Sequence, residues 1–307
     1  MYFLHIIEQV ILPVILLIGA GAILHRSFQF EMKTFSKLLL YFYLPALTFV
    51  KIYEAKANLE LLFSVFSYLL LQAAGLILLG KLISKFCGHS GKMAASFSNS
   101  ILLANNGNIG IPVNDLAFRH NPLAMSVQMI VVLFEILLTF TYGLFNASAA
   151  GIGLRQTLQQ CLRMPVFYCF FLGLFFNLFD ITMPNALWIP LQTSANGMLS
   201  FALISIGAQV ARVHFSKNTW NVFLSSLVRL VVSPILAFAI IHLLQLDGVV
   251  AQALWLASAM PSSRNSAALA LEYNNEPEFA AQTVLVSTLA SSLTLTVVIY
   301  LSMLLFA

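Results

Sequence analysis

The chain has 307 residues, 60% of them hydrophobic and only 8% charged, with a mean hydropathy of +0.91. Soluble domains carry about a quarter charged residues, so this composition excludes an ordinary water-soluble globule. The net charge of +4 sits at the ends of apolar runs, where Lys and Arg set membrane orientation, which excludes a nucleic-acid partner.

The chain opens Met1-Tyr2-Phe3-Leu4-His5, without a basic n-region or an evident cleavage motif, so its first apolar run is expected to remain as a helix. A membrane span needs ~20 mostly apolar residues. Ten segments meet that measure: 4–24, 35–53, 60–83, 93–118, 123–146, 163–180, 188–210, 219–243, 250–272 and 279–305. The expected class is all-α integral membrane, embedded in a lipid bilayer. Among the basic residues, cytoplasmic loops would hold ten, namely Arg26, Lys33, Lys37, Lys81, Lys85, Lys92, Arg155, Arg163, Arg212 and Lys217. Outer loops would hold three, Lys51, Lys56 and Arg119, so both termini are placed outside. The longest connector, from Ala147 to Leu162, separates residues 1–150 from 151–307, five spans each. An odd number per half puts the halves in opposite orientations, as inverted repeats.

Cys87, Cys161 and Cys169 show neither a disulfide framework nor metal-ligand spacing, and no cofactor or metal is expected. His5, His25, His89, His120, His214 and His242 all fall at span ends or in loops, away from any mid-membrane relay. Pro13, Pro45, Pro165, Pro190 and Pro234 read as helix kinks or first-turn prolines. Trp188, Trp220 and Trp255 fit an interfacial belt.

Two spans are interrupted at matching positions. The fourth of the first half reads Asn105-Asn106-Gly107-Asn108-Ile109-Gly110-Ile111-Pro112, and the fourth of the second half reads Pro261-Ser262-Ser263-Arg264-Asn265-Ser266. Proline removes a backbone donor and glycine weakens a helix, so each span is expected to split in two. Unwound backbone at membrane depth survives only when buried in protein or lining a cavity, and corresponding breaks in two halves point to a transporter site. The amides of a half-helix N-terminus attract anions, the Asn side chains can bind a carboxylate, and Ser262, Ser263 and Asn265 suit a helix cap. Arg264 adds a guanidinium that needs a partner at this depth. Together these features predict an organic-anion substrate. Helix packing is the competing reading of the asparagines and glycines. Arg264 could equally pair with Glu135, the clearest mid-span carboxylate and the natural proton or ion carrier. Arg229 is a second candidate partner for that carboxylate, or part of a structural ion pair. Asp115 is either a coupling carboxylate lining the outer vestibule or an interfacial residue.

On these residues the sequence resembles the auxin efflux carrier family in its short bacterial form. Further matches are Ala270-Leu271-Glu272-Tyr273 and Val284-Leu285-Val286-Ser287-Thr288-Leu289 near the end. The resemblance implies two inverted five-helix repeats with helices 4 and 9 crossing at Pro112 and Pro261, a fold shared with sodium/proton antiporters and bile-acid symporters. It implies a scaffold of helices 1, 2, 6 and 7, commonly a homodimer surface, and a transport unit of helices 3–5 and 8–10 moving by an elevator mechanism. It makes Asn105 a principal carboxylate contact, with Asn108 and the residues after Pro261 nearby; Asn106, Gly110 and Pro112 of the first break complete the expected substrate-binding set. It also implies a bacterial inner membrane and malonate- or malate-like cargo, while Arg264 and Asn265 depart from the plant pattern and point away from an indole acid.

The function expected is therefore secondary transport or uniport of small mono- or dicarboxylates, with proton or Na⁺ coupling open. A sodium-coupled symporter of the bile-acid type is the alternative, using Asn, Ser and Glu135 as ion ligands. No span offers an H-E-x-x-H helix, paired aspartates or a Ser-His pair at depth, so an enzyme is not expected. A carrier-fold receptor is disfavoured because no soluble output segment accompanies the spans.

Overall fold

The computed structural model describes residues 6–54, 59–148, 159, 162–211 and 219–306. The half-chain boundary at residue 150, together with His5, Lys56, Arg155, Cys161, Arg212, His214 and Lys217, lies outside these described residues. Runs of apolar residues fold as helices because a lipid-facing backbone must satisfy its polar groups within one segment. In chain order the helices are α1 (Ile7–Phe28), α2 (Met32–Glu54), α3 (Leu59–Phe86), α4a (Gly91–Leu102), α4b (106–117), α5 (Pro122–Ala147) and α6 (Pro165–Leu178). They continue as α7 (Asn185–Val210), α8 (219–243), α9a (Gly248–Ser258), α9b (Arg264–Glu272) and α10 (Pro277–Leu305). Six of them, α1, α2, α3, α5, α8 and α10, are long and apolar enough to cross a membrane. Among the described residues there is no β-strand, only one isolated antiparallel bridge between Ala104 and Ser262.

Five of the helices contain a π turn: Ile7–Ile11, Leu39–Tyr43, Asn106–Gly110, Thr139–Gly143 and Val228–Val232. In four of these a proline stands two residues beyond the turn, namely Pro13, Pro45, Pro112 and Pro234. A proline cannot donate to the carbonyl four residues earlier and its ring crowds that carbonyl. Widening the preceding turn to an i→i+5 register, as in the bond from the Ile111 amide to the Asn106 carbonyl, makes room for the ring. Pro13, Pro45 and Pro234 thus stand in the first α-helical turn after each register shift, as first-turn prolines.

Glycines set the closest helix contacts. A Cβ on Gly21 of α1 would meet the Ile204 carbonyl oxygen at 2.1 Å, and one on Gly207 of α7 would meet the Ile18 oxygen at 1.8 Å. The two backbones therefore touch, as small residues allow in membrane bundles. Gly173 brings α6 against the Phe49 carbonyl of α2, and α7 also lies along α2. Helices α1, α2, α6 and α7 thus pack on one another, while α3 packs on α4a, and α5 lies against α3 and α9a. Exposed Ile15, Leu16, Ile23, Phe171, Phe175 and Phe179 cover the outside of the first group, as a lipid-facing surface requires. Trp220 is exposed too, whereas Trp255 is buried against Phe306, its indole N–H donating to the Pro234 carbonyl at 2.8 Å.

Candidate functional site

The two breaks meet. Leu103–Asn105 and Met260–Ser263 run antiparallel, the Asn105 amide donating to the Pro261 carbonyl and the Ser263 amide to the Leu103 carbonyl, both at 2.8 Å. The Ser262 hydroxyl donates to the Ser100 carbonyl at 2.7 Å, and its amide donates to Ser287 Oγ of α10 at 3.1 Å. Backbone that leaves one helix is thereby satisfied by the other break, which is why neither interruption is left open at depth. The unwinding lies at Leu103–Asn105, seven residues ahead of Pro112, because the π turn Asn106–Gly110 absorbs the proline inside α4b.

Four half-helix ends converge here, and they divide by charge. At the C-terminal ends of α4a and α9a, buried Arg229 donates from Nη1 to the Ile101 carbonyl (3.0 Å), from Nη2 to Ser258 (2.9 Å) and from Nε to Met260 (2.8 Å). A cation across two negative helix ends is favourable, and charge-assisted bonds are the stronger kind. Arg229 is therefore a clamp on the crossing; it makes no direct ion pair with Glu135, but the two opposite charges interact across the same pocket. At the N-terminal ends, α9b is capped by the Ser263 hydroxyl, which accepts from the Asn265 amide at 3.2 Å. The first turn of α4b is entered through Asn105, whose carbonyl accepts from the Ile109 and Gly110 amides.

These N-terminal ends face one cavity of about 570 Å³, lined by Asn105, Gly107 and Asn108 from the first break and Ser263, Arg264 and Asn265 from the second. Glu135 of α5 joins them, and Leu39, Leu40 and Leu44 of α2 with Met198 of α7 close the other side. Arg264 does not pair with Glu135: its Nη1 donates to Ser36 Oγ of α2 at 2.8 Å, tying α9b to the neighbouring helix group. Beyond Asn105 and Arg264 lies a second, mostly apolar cavity of about 800 Å³, bounded by Met32, Ile206, Val284 and Leu285 among others. The Glu135 carboxylate accepts from Asn106 Nδ2 at 2.9 Å and from the Ala104 amide at 3.3 Å.

The remaining sequence candidates have other duties. Asn106 turns from the cavity to Glu135, and its own oxygens accept from Gln128 Nε2 at 3.0 and 3.2 Å. Gly110 makes room for that amide, since a Cβ there would lie 2.6 Å from Gln128 Nε2. Pro112, Pro261 and Ser262 are buried parts of the crossing. Asp115 is not brought to the cavity; it is buried against His120 Nδ1 at 2.7 Å. Sequence reasoning missed Ser36, and it missed the clamp of Arg229, whose signal was a mid-span guanidinium with more donors than one carboxylate could satisfy.

Residues 5–299 match the model of a family described as membrane transport protein. A transporter of uncharacterized function from Methanothermobacter thermautotrophicus is 26% identical over 194 residues, which is 63% of this chain and 63% of that protein.

Proposed function

The chain belongs to the auxin efflux carrier family of membrane transport proteins, and on that premise we propose that it is a secondary carrier of small organic anions, binding them at the crossing of α4 and α9. The observation that carries this reading is the cavity where two half-helix N-termini, Asn105, Asn108 and Arg264 converge. Helix N-termini and a guanidinium favour negative charge, and the amides of asparagine can hold a carboxylate's two oxygens. The cavity lies between two packing groups, with Leu39, Leu40, Leu44 and Met198 on one wall and both breaks on the other. That placement supports an elevator motion in which α3–α5 and α8–α10 slide against a scaffold of α1, α2, α6 and α7, alternately exposing the anion to each side. In this reading the protein spans the plasma membrane ten times with both termini outside, its halves are inverted repeats, and the scaffold face joins two copies.

The test is exchange of radiolabelled mono- and dicarboxylates in proteoliposomes holding the full chain. The wild-type protein is expected to exchange at least one of them, and Asn105→Ala and Arg264→Ala are each expected to lose that exchange while remaining folded. Unchanged exchange in both variants would sink the proposed site.

A further inference from the structure

Behind the crossing lies a partly open inner chamber lined by α3, α5, α8 and α9a together with Leu102 and Asn106. Glu135 lines both this chamber and the anion cavity, so its carboxyl forms part of the wall between them. The chamber holds an unexplained acceptor. Gln72 is 7% exposed, and its Oε1 has no hydrogen-bond partner. The orientation of that amide is determined by its other end. Gln72 Nε2 donates to the Ser233 carbonyl at 3.1 Å and to Ser233 Oγ at 3.0 Å. The Ser233 hydroxyl already gives its own proton to the Ser258 carbonyl at 2.9 Å, so it can only accept. Oxygen, not nitrogen, therefore faces the chamber. Tyr68 adds another acceptor, its hydroxyl proton being given to the Leu254 carbonyl at 3.2 Å. A buried, unpaired acceptor is costly, and its place in a native fold calls for a donor.

We propose that this chamber is the carrier's coupling site and that its ligand is a proton, held on Glu135 and hydrogen-bonded through Gln72 and Tyr68. The inference rests on the anion-carrier reading above and names its driving ion. Oxygens alone would suit a metal cation equally well. The Arg229 guanidinium decides against one: it lines the same chamber, immobilised on three carbonyls, and like charges at close range in low dielectric repel strongly. A proton adds the same charge, but it forms a covalent O–H bond on the carboxylate and needs no shell of oxygen ligands. It arrives as hydronium through the chamber or the cavity and leaves water behind. Among the described residues, the charged or titratable groups facing Glu135 are Tyr68 from α3, Arg229 from α8 and Arg264 from α9b. The α2, α7 and α9a faces are neutral, and Asp115 of α4b is turned to His120. Protonating Glu135 takes a negative charge out of the wall of the anion cavity, so proton and anion bind cooperatively and travel in the same direction. Anion binding then tightens as pH falls and Glu135 becomes protonated.

Two measurements on the full chain test this. Infrared difference spectra between acid and alkaline pH are expected to show a carboxylic C=O band that Glu135→Gln removes and Gln72→Leu or Tyr68→Phe displaces. In proteoliposomes, an inward proton gradient should drive carboxylate accumulation that Glu135→Gln loses, whereas a sodium gradient drives none. Gln72→Leu and Tyr68→Phe should accumulate less than the wild-type protein. Absence of the Glu135 band, its insensitivity to both partner variants, or accumulation driven by sodium overturns the proton site. A chain that shows the band but exchanges no carboxylate defeats the anion-carrier reading and leaves the proton site standing.

Discussion

Arg229 and Arg264 lie 35 positions apart and do opposite work. The first is buried at the negative ends of α4a and α9a, with three bonds to backbone; the second stands at the positive end of α9b with one bond, to Ser36. Hydrogen bonds to charged groups contribute about 1.5–3 kcal/mol each, so Arg229→Ala is expected to cost several kcal/mol and to leave carbonyls bare. A fall in melting temperature in detergent much larger than that of Arg264→Ala is the outcome to look for. Arg229→Lys keeps the charge but cannot span three carbonyls, and it should fall between the two. Ser36→Ala removes two partly buried bonds, its own to the Met32 carbonyl and the charge-assisted one from Arg264, at about 1–3 kcal/mol, and frees Arg264 for the cavity. Its melting temperature should fall less than that of Arg229→Ala, while carboxylate affinity, read by isothermal titration, rises. An unchanged affinity would mean that Ser36 and the anion do not compete for Arg264.

At the scale of elements, the π turns are the devices that aim these side chains. Arg229 sits inside the turn Val228–Val232, ahead of Pro234, and Asn106 begins the turn ahead of Pro112. Gly110→Ala places a methyl 2.6 Å from Gln128 Nε2 and 2.9 Å from Asn106 Oδ1, so it should lose about 1–3 kcal/mol in a melt and misplace the amide that holds Glu135. Gly207→Val, set against the Ile18 carbonyl, should be harsher still and prevent α1 and α7 from docking, seen as loss of folded material on size exclusion. Much of this level was legible in the residues alone. Apolar run length located the helices to within a few residues, and Asn-Gly-Pro and Pro-Ser-Ser punctuation located both breaks. The exact point of unwinding was not, because a proline can be absorbed by a wider turn upstream, and only the surrounding packing decides which turn yields. The clamp and the inner chamber were illegible for a related reason. Gln72 and Ser233, or Arg229 and Ile101, are joined across more than a hundred positions by the rotation of one helix about another, which local periodicity does not encode.

For the whole molecule, the bridge between Ala104 and Ser262 carries a consequence for biosynthesis. Leu103, whose carbonyl accepts from Ser263, enters the membrane more than half a chain length before that partner is made. Until α9 arrives, the broken fourth span holds an amide and a carbonyl with no mate, in a solvent that offers none. The nascent first half is therefore expected to linger beside the insertion machinery or in contact with water, and to seal only when the tenth helix delivers Ser287 to the Ser262 amide. Ribosome-stalled chains ending before Gly248 should stay cross-linkable at Asn105 and be degraded on release, whereas chains carrying α10 should be protected. Helix α10, made long after α4, is then the one that licenses the first break, and quality control acts on the crossing itself.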